Sequence, residues 1–189
     1  YNTKTVQIHY DSSHFIVSAK LPSDPIVYLL DSSNSSKLSE GIRLQLSSQY
    51  GKPRENLEII QCRTQQQRPH LGNCGLFSLA NALDFCYNNR VTQADIDLDE
   101  YMLRPHLIKC FESMDFKLFP KMNKVPWRMI LKKKIPHTIN ISCKCGISDE
   151  FEDMVMCDKA SCGKWYHYSC GNSIGTPKLK TWICPDCKN

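Results

Sequence analysis

Eight residues near the C-terminus constrain this chain more than any others: Cys143-x-Cys145, eleven residues, Cys157-x4-Cys162, four residues, His167-x2-Cys170, thirteen residues, Cys184-x2-Cys187. Thiols and an imidazole in short pairs are the donors zinc prefers. Eight of them make two tetrahedral four-ligand sites of the closed, structural kind. A segment of under about 50 residues buries too little apolar surface to fold unaided, so zinc is expected to be required for its folding. Seven of the eleven cysteines lie in the last 47 residues, and the other four are widely spaced. The odd total and the short pairs argue for thiols and metal rather than disulfides, and hence for a reducing, intracellular setting.

Charge divides the chain in the same way. Residues 1–116 carry 11 Lys/Arg and 13 Asp/Glu, residues 143–189 carry 6 of each, and residues 117–142 hold 7 basic side chains and no acidic one. The net charge of +5 therefore comes from the middle. Lys117, Lys121, Lys124, Arg128, Lys132, Lys133 and Lys134 form a connector suited to a weak nucleic-acid contact, with a solvated linker as the plainer alternative. Pro120, Pro126 and Pro136 interrupt any helix there, apart from a single turn around Trp127. The organisation expected is a first domain over 1–116, a basic linker over 117–140 and a finger over 141–189. No apolar run reaches the roughly 18 residues of a membrane span, and the first residues do not form a signal peptide. The chain is expected to be a monomer, and, since it has no initiating Met and enters a strand almost at once, a fragment.

Short β-branched and aromatic runs at 6–10, 14–20 and 26–30, separated by turn residues, predict three strands in an antiparallel meander. A helix is expected over 37–50, with Leu38, Ile42, Leu46 and Tyr50 on one face, and a fourth strand over 57–62. Leu76, Leu79, Ala80, Leu83, Cys86 and Tyr87 recur at helical spacing, which puts Cys74 in a helix's first turn. Thr92 and Asp95 suggest a capped turn, and 99–113 a further helix. The fold class is α+β.

A thiol at a helix N-terminus is stabilised as its anion, although most free cysteines are only small buried hydrophobes. His14 opens the second strand and Asp31 follows the third, so neighbouring strands would bring them to one edge. Cysteine, a histidine to move its proton and a carboxylate to orient that histidine are the parts of a thiol nucleophile site. Gln66 or Gln67 and the Cys74 backbone N–H would face the oxyanion. Each piece also has a structural explanation: an exposed strand histidine, a turn-forming aspartate, a polar loop.

The order His14, Asp31, Gln67, Cys74, carried by SHF, VYLLD and QQQRPHLGNCGLFSLANA, resembles the Ulp1/sentrin-specific and adenain-like cysteine peptidases over residues 5–115. The resemblance implies a meander flanked by helices, a Cys74–His14–Asp31 triad, Gln67 at the oxyanion hole, and as substrate the glycine tail of a ubiquitin-like modifier or a polyprotein. Phe15 and Asn73 depart from the family's tryptophan and aspartate. The family's segment ahead of the first strand is missing, which implies an N-terminally truncated domain.

Residues 142–188 resemble the plant homeodomain finger, through the eight ligands, WYH and WICPDC. Its cross-brace implies that Cys143, Cys145, His167 and Cys170 share one zinc and Cys157, Cys162, Cys184 and Cys187 the other, with Trp182 structural. Such fingers bind histone tails, so the resemblance implies a nuclear protein with Met154 and Trp165 as walls of a lysine cage, Phe151 as a brace and Asp158 among the carboxylates for basic groups. Ser142 stands where the best methyl-lysine readers have an aromatic, which implies weak binding or less methylated tails. The combined reading is a thiol peptidase tethered to chromatin. Its alternative is a catalytically inactive protein whose finger reads histone tails.

Overall fold

A computed structural model of the chain describes residues 3–33, 35–68, 71–88, 98–122, 134–171 and 181–188. The expected turns at Thr92 and around Trp127, with four of the seven basic connector residues, lie outside these. The elements in chain order are β1 (Thr5–Asp11), β2 (His14–Lys20), β3 (Val27–Leu30), α1 (Glu40–Tyr50), β4 (Leu57–Gln61) and α2 (Cys74–Asn88). Then come α3 (Leu103–Ser113), β5 (Ile135–Ile139), β6 (Met154–Met156), β7 (Trp165–His167) and α4 (Pro185–Lys188). Two compact units form, and they cut across chain order: Tyr1–Leu38 with Ile59–His137, and Ser39–Glu58 with Thr138–Asn189.

In the first unit β1, β2 and β3 form the antiparallel meander, with Asp11 opposite His14 and Val17 opposite Leu30. Ser12 and Ser13 between β1 and β2 both take positive φ, the turn geometry whose twist suits a two-residue hairpin. β4 joins β3 in parallel, and the sheet order is β1-β2-β3-β4-β5. β5 occupies part of residues 117–140, expected as linker; Pro136 is tolerated because this strand is at the sheet's edge. Val17, Leu30 and Cys62 are buried together on the sheet, and burial pushes the Cys62 thiol up to about 12.

α2 packs against β1, β2 and α3, so it is covered on two sides. Phe77, Ser78, Asn81, Asp84 and Phe85 are buried, while Cys86 and Tyr87, expected on the apolar face, are exposed. A helix between a sheet and a second helix buries more than one stripe, which a single-face reading of the periodicity misses. Leu76, Phe77 and Ala80 meet Leu98, Leu103 and Phe119 in one cluster.

The second unit begins with α1. The Ser39 hydroxyl accepts from the Ile42 N–H and caps the helix, whose buried residues are Ile42, Leu46 and Ser47. Gly51 ends it: a Cβ there would lie 2.0 Å from the Gly146 carbonyl oxygen, so only glycine allows the approach. β6 and β7 form a two-stranded antiparallel sheet. Around the finger's cysteines the buried cluster is small, with Cys143, Cys157, Tyr166, Trp182 and Cys184 packed together.

Candidate functional site

The eight donors fall into two groups, Cys143, Cys145, His167 and Cys170 in one and Cys157, Cys162, Cys184 and Cys187 in the other, each with donor atoms within 4.8 Å of one another. Local geometry fits metal. His167 Nε2 lies 3.0 Å from the Ser148 carbonyl, which can only accept, so Nε2 carries the hydrogen and Nδ1 is left with its lone pair free for a metal, 3.3 Å from Cys145 Sγ. In the second group Cys162 and Cys184 Sγ are 3.7 Å apart, and the Cys184 N–H donates to Cys157 Sγ. These are two structural zinc sites in a cross-brace, a mixed one that joins three thiolates to the His167 imidazole and an all-thiolate one.

Trp182 and Tyr166 pack edge to face beneath the all-thiolate site, with ring centroids 5.6 Å apart. The Arg54 guanidinium donates to the Tyr166 hydroxyl and pairs with Asp186. Lys164 and then Tyr166 and Arg54 hold the Asp186 carboxyl down at about 2.

The register Met154↔His167, Val155↔Tyr166, Met156↔Trp165 places Met154, Met156 and Trp165 on one face of the hairpin. Bonds from Cys157 N to Lys164 O and from Tyr168 N to Asp153 O fix the alternation. The backbone groups of Met154 and Met156 therefore point away from β7, to an edge that no strand among the described residues covers. Trp165 and Phe151 are exposed, 42% and 51%, and the Phe151 ring stands edge-on to His167, 5.7 Å away.

The acidic side chains nearby mostly have partners already. Asp149 accepts from the Ser142 N–H and hydroxyl, Glu150 takes both arms of Arg43, and Glu152 accepts from the Ser169 N–H and hydroxyl. Asp158 uses one oxygen on the Trp182 N–H.

In the first unit Cys74 opens α2 and is 8% exposed. His14 Nε2 lies 2.7 Å from Asp31 Oδ1. The Asp31 hydrogen bond, opposed by desolvation and aided by the Cys74 side chain, raises the His14 pKa above 6.5. Asp31 also accepts from the Ser33 N–H and hydroxyl, which ties the end of β3 into a turn. The Gln66 amide donates to the Asp31 and Thr64 carbonyls, and the Gln67 N–H to the Ser32 carbonyl. The Gln67 side-chain oxygen is buried with no hydrogen-bond partner among the described residues. Glu100, which the sequence does not single out, holds this loop by accepting from the Arg68 N–H and the Asn73 amide.

Comparison with known proteins identifies the class of the finger alone. The PHD-finger family matches residues 143–187. Chromatin modification-related protein YNG2 of Candida glabrata is 46% identical over 50 residues, 26% of this chain, and the chain spans 18% of that protein's length. No solved structure matches.

These findings correct the peptidase expectation. The relative found is a chromatin modification-related protein, the matching family is the PHD finger, and neither family nor fold ties residues 1–116 to the Ulp1/adenain peptidases. Thiol-peptidase activity, with a ubiquitin-like modifier or polyprotein as substrate, does not stand. The physical reason is that a hydrogen-bonded Cys-His-Asp contact is not by itself an activity. Here Cys74 is buried and Asp31 serves a turn. Among the described residues no helix is long and apolar enough to cross a membrane.

Two outcomes follow. Because the folded-state pKa of His14 lies above 6.5, its stabilisation is fully present below that value and is lost as pH rises through the folded pKa. Hydrogen-exchange protection of the β2 and β3 amides should therefore hold below about pH 6.5 and fall as the pH is raised above it. In His14→Gln the pH dependence should flatten. Removing metal with a chelator should abolish the near-ultraviolet dichroism of Trp182 and Tyr166, which are ordered around the all-thiolate site, while the amides of β1 to β3 stay protected.

Proposed function

We propose that the finger is a histone-tail reader that holds the chain at chromatin in the nucleus. The observation that carries this is the open edge of β6 beside the exposed indole of Trp165, with Met154 and Met156 on the same face. An extended peptide adds to such an edge through main-chain hydrogen bonds and places alternate side chains into pockets. A lysine ammonium would then lie between Met154 and Trp165, where the indole face attracts a cation. The similarity to a chromatin modification-related protein supports the location and the partner class.

Ser142, bonded to Asp149, leaves the lysine site with two apolar walls instead of a closed aromatic box. That arrangement favours lower methylation states, whose N–H groups still seek acceptors. Asp158, with one oxygen already on Trp182, keeps acceptor capacity for an arginine of the tail. Phe151 acts from behind, by packing on His167.

The test is calorimetric titration of the zinc-loaded chain with histone-tail peptides carrying zero to three methyl groups on one lysine. Saturable binding is expected, strongest for the less methylated peptides and weakened about 3- to 30-fold in Trp165→Ala, the range of a cation–π contact. Flat titrations with every peptide, or binding indifferent to Trp165→Ala, would contradict the reading.

A further inference from the structure

The matched finger spans 143–187, yet the compact unit that contains it starts more than a hundred residues earlier, at Ser39. The reason is visible in a buried line of hydrogen bonds. Ser47, on α1, is 1% exposed; its hydroxyl donates to the Leu44 carbonyl of its own helix at 3.0 Å. With its hydrogen spent there, the oxygen can only accept, and it accepts from the Ser148 N–H at 3.0 Å. The carbonyl of Ser148 in turn accepts from His167 Nε2 at 3.0 Å, and His167 is fully buried. Ser148 is thus fixed at both of its backbone groups, one by α1 and one by a metal-site histidine.

We propose that Ser47 is a positioning residue for the mixed zinc site, the one that contains His167. It pins Ser148, whose carbonyl holds the His167 ring with Nδ1 turned to the cysteine sulfurs, so the working finger includes α1 and the turn after it. A ligating histidine needs its second nitrogen engaged, or the ring rotates and the tautomer is undefined. Most often a neighbouring carbonyl or carboxylate suffices. Here that carbonyl sits in the loop between Cys145 and Cys157, and the loop is anchored by a helix distant in sequence. Two further contacts hold it in place, Arg43 gripping Glu150 with two bonds of 2.6 Å and Gly51 closing on Gly146, and just ahead of the first ligand Asn56 Oδ1 accepts from the Ile141 N–H at 3.3 Å. None of these contacts ends on a ligand of the all-thiolate site: its four cysteines pack with Tyr166 and Trp182, a cluster that Cys143 and Cys170 of the mixed site share, whereas the line from Ser47 reaches His167 alone.

That asymmetry makes the inference testable in the full chain loaded with cadmium-113, whose resonance separates a site with an imidazole ligand from one with thiolates alone. Ser47→Ala should weaken metal at the mixed site about 10- to 100-fold against a competing chelator, the usual cost of losing an outer-shell partner, and leave the all-thiolate site unchanged. Equal losses at both sites would mean that α1 only stabilises the unit, and no loss at either would mean that Ser148 holds without it; each overturns the proposal. A second measurement needs no substitution. In the zinc-loaded wild-type chain, nitrogen-15 spectra should show His167 with its hydrogen on Nε2, and the Ser148 amide should exchange slowly. The opposite tautomer, or a rapidly exchanging Ser148 amide, overturns it as well.

Discussion

Two sets of four donors gathered within 4.8 Å set the terms for the second unit. Thiolates that close repel one another, and the cluster around Tyr166 and Trp182 is too small to hold them together by burial alone. Zinc resolves the conflict by turning the repelling groups into ligands, and the free energy of binding becomes free energy of folding. The β6–β7 hairpin is suspended between the two sites: His167, a ligand of one, ends β7, and Cys157, a ligand of the other, follows β6. The surface offered to a partner is therefore as rigid as the metal coordination makes it.

The same constraint explains how the acidic side chains are used. Asp149, Glu150 and Glu152 close loops with Ser142, Arg43 and Ser169, shaping the finger before any partner arrives. Among the described residues a strand edge, an exposed indole, the Asp153 carboxylate and part of that of Asp158 remain open, a set that the proposed extended basic peptide would fit. In the first unit the polar groups also look inward. Asp31 serves His14 and Ser33, and Glu100 serves Arg68 and Asn73, so the strand ends and the loop ahead of α2 are tied to each other.

Legibility followed the range of the interactions. The ligands of the finger lie in short pairs whose chemistry admits few readings, and the strands of the meander are joined by turns of a few residues, so both could be read directly. The partnership of Ser47 with Ser148 spans 101 residues, and its only local trace is a serine on the buried side of α1 beside Leu46. β5 was hidden by Pro136, which signals a break except on an edge strand. For α2, packing on two sides buried Asn81 and Asp84 where one apolar face was expected. The peptidase expectation shows a different limit. The order of His14, Asp31 and Cys74 led to a true proximity of His14 with Asp31, but proximity carries no activity with it, and the comparisons lead to chromatin instead.

The central claim, that this chain meets a histone tail through the finger's hairpin, is tested most directly by mapping amide and indole chemical shifts of the zinc-loaded chain as tail peptide is added. The account predicts changes concentrated at Met154, Val155, Met156 and the Trp165 indole, with the signals of β1 to β3 unmoved. Changes centred on His14 and Cys74, or none at β6, would contradict it.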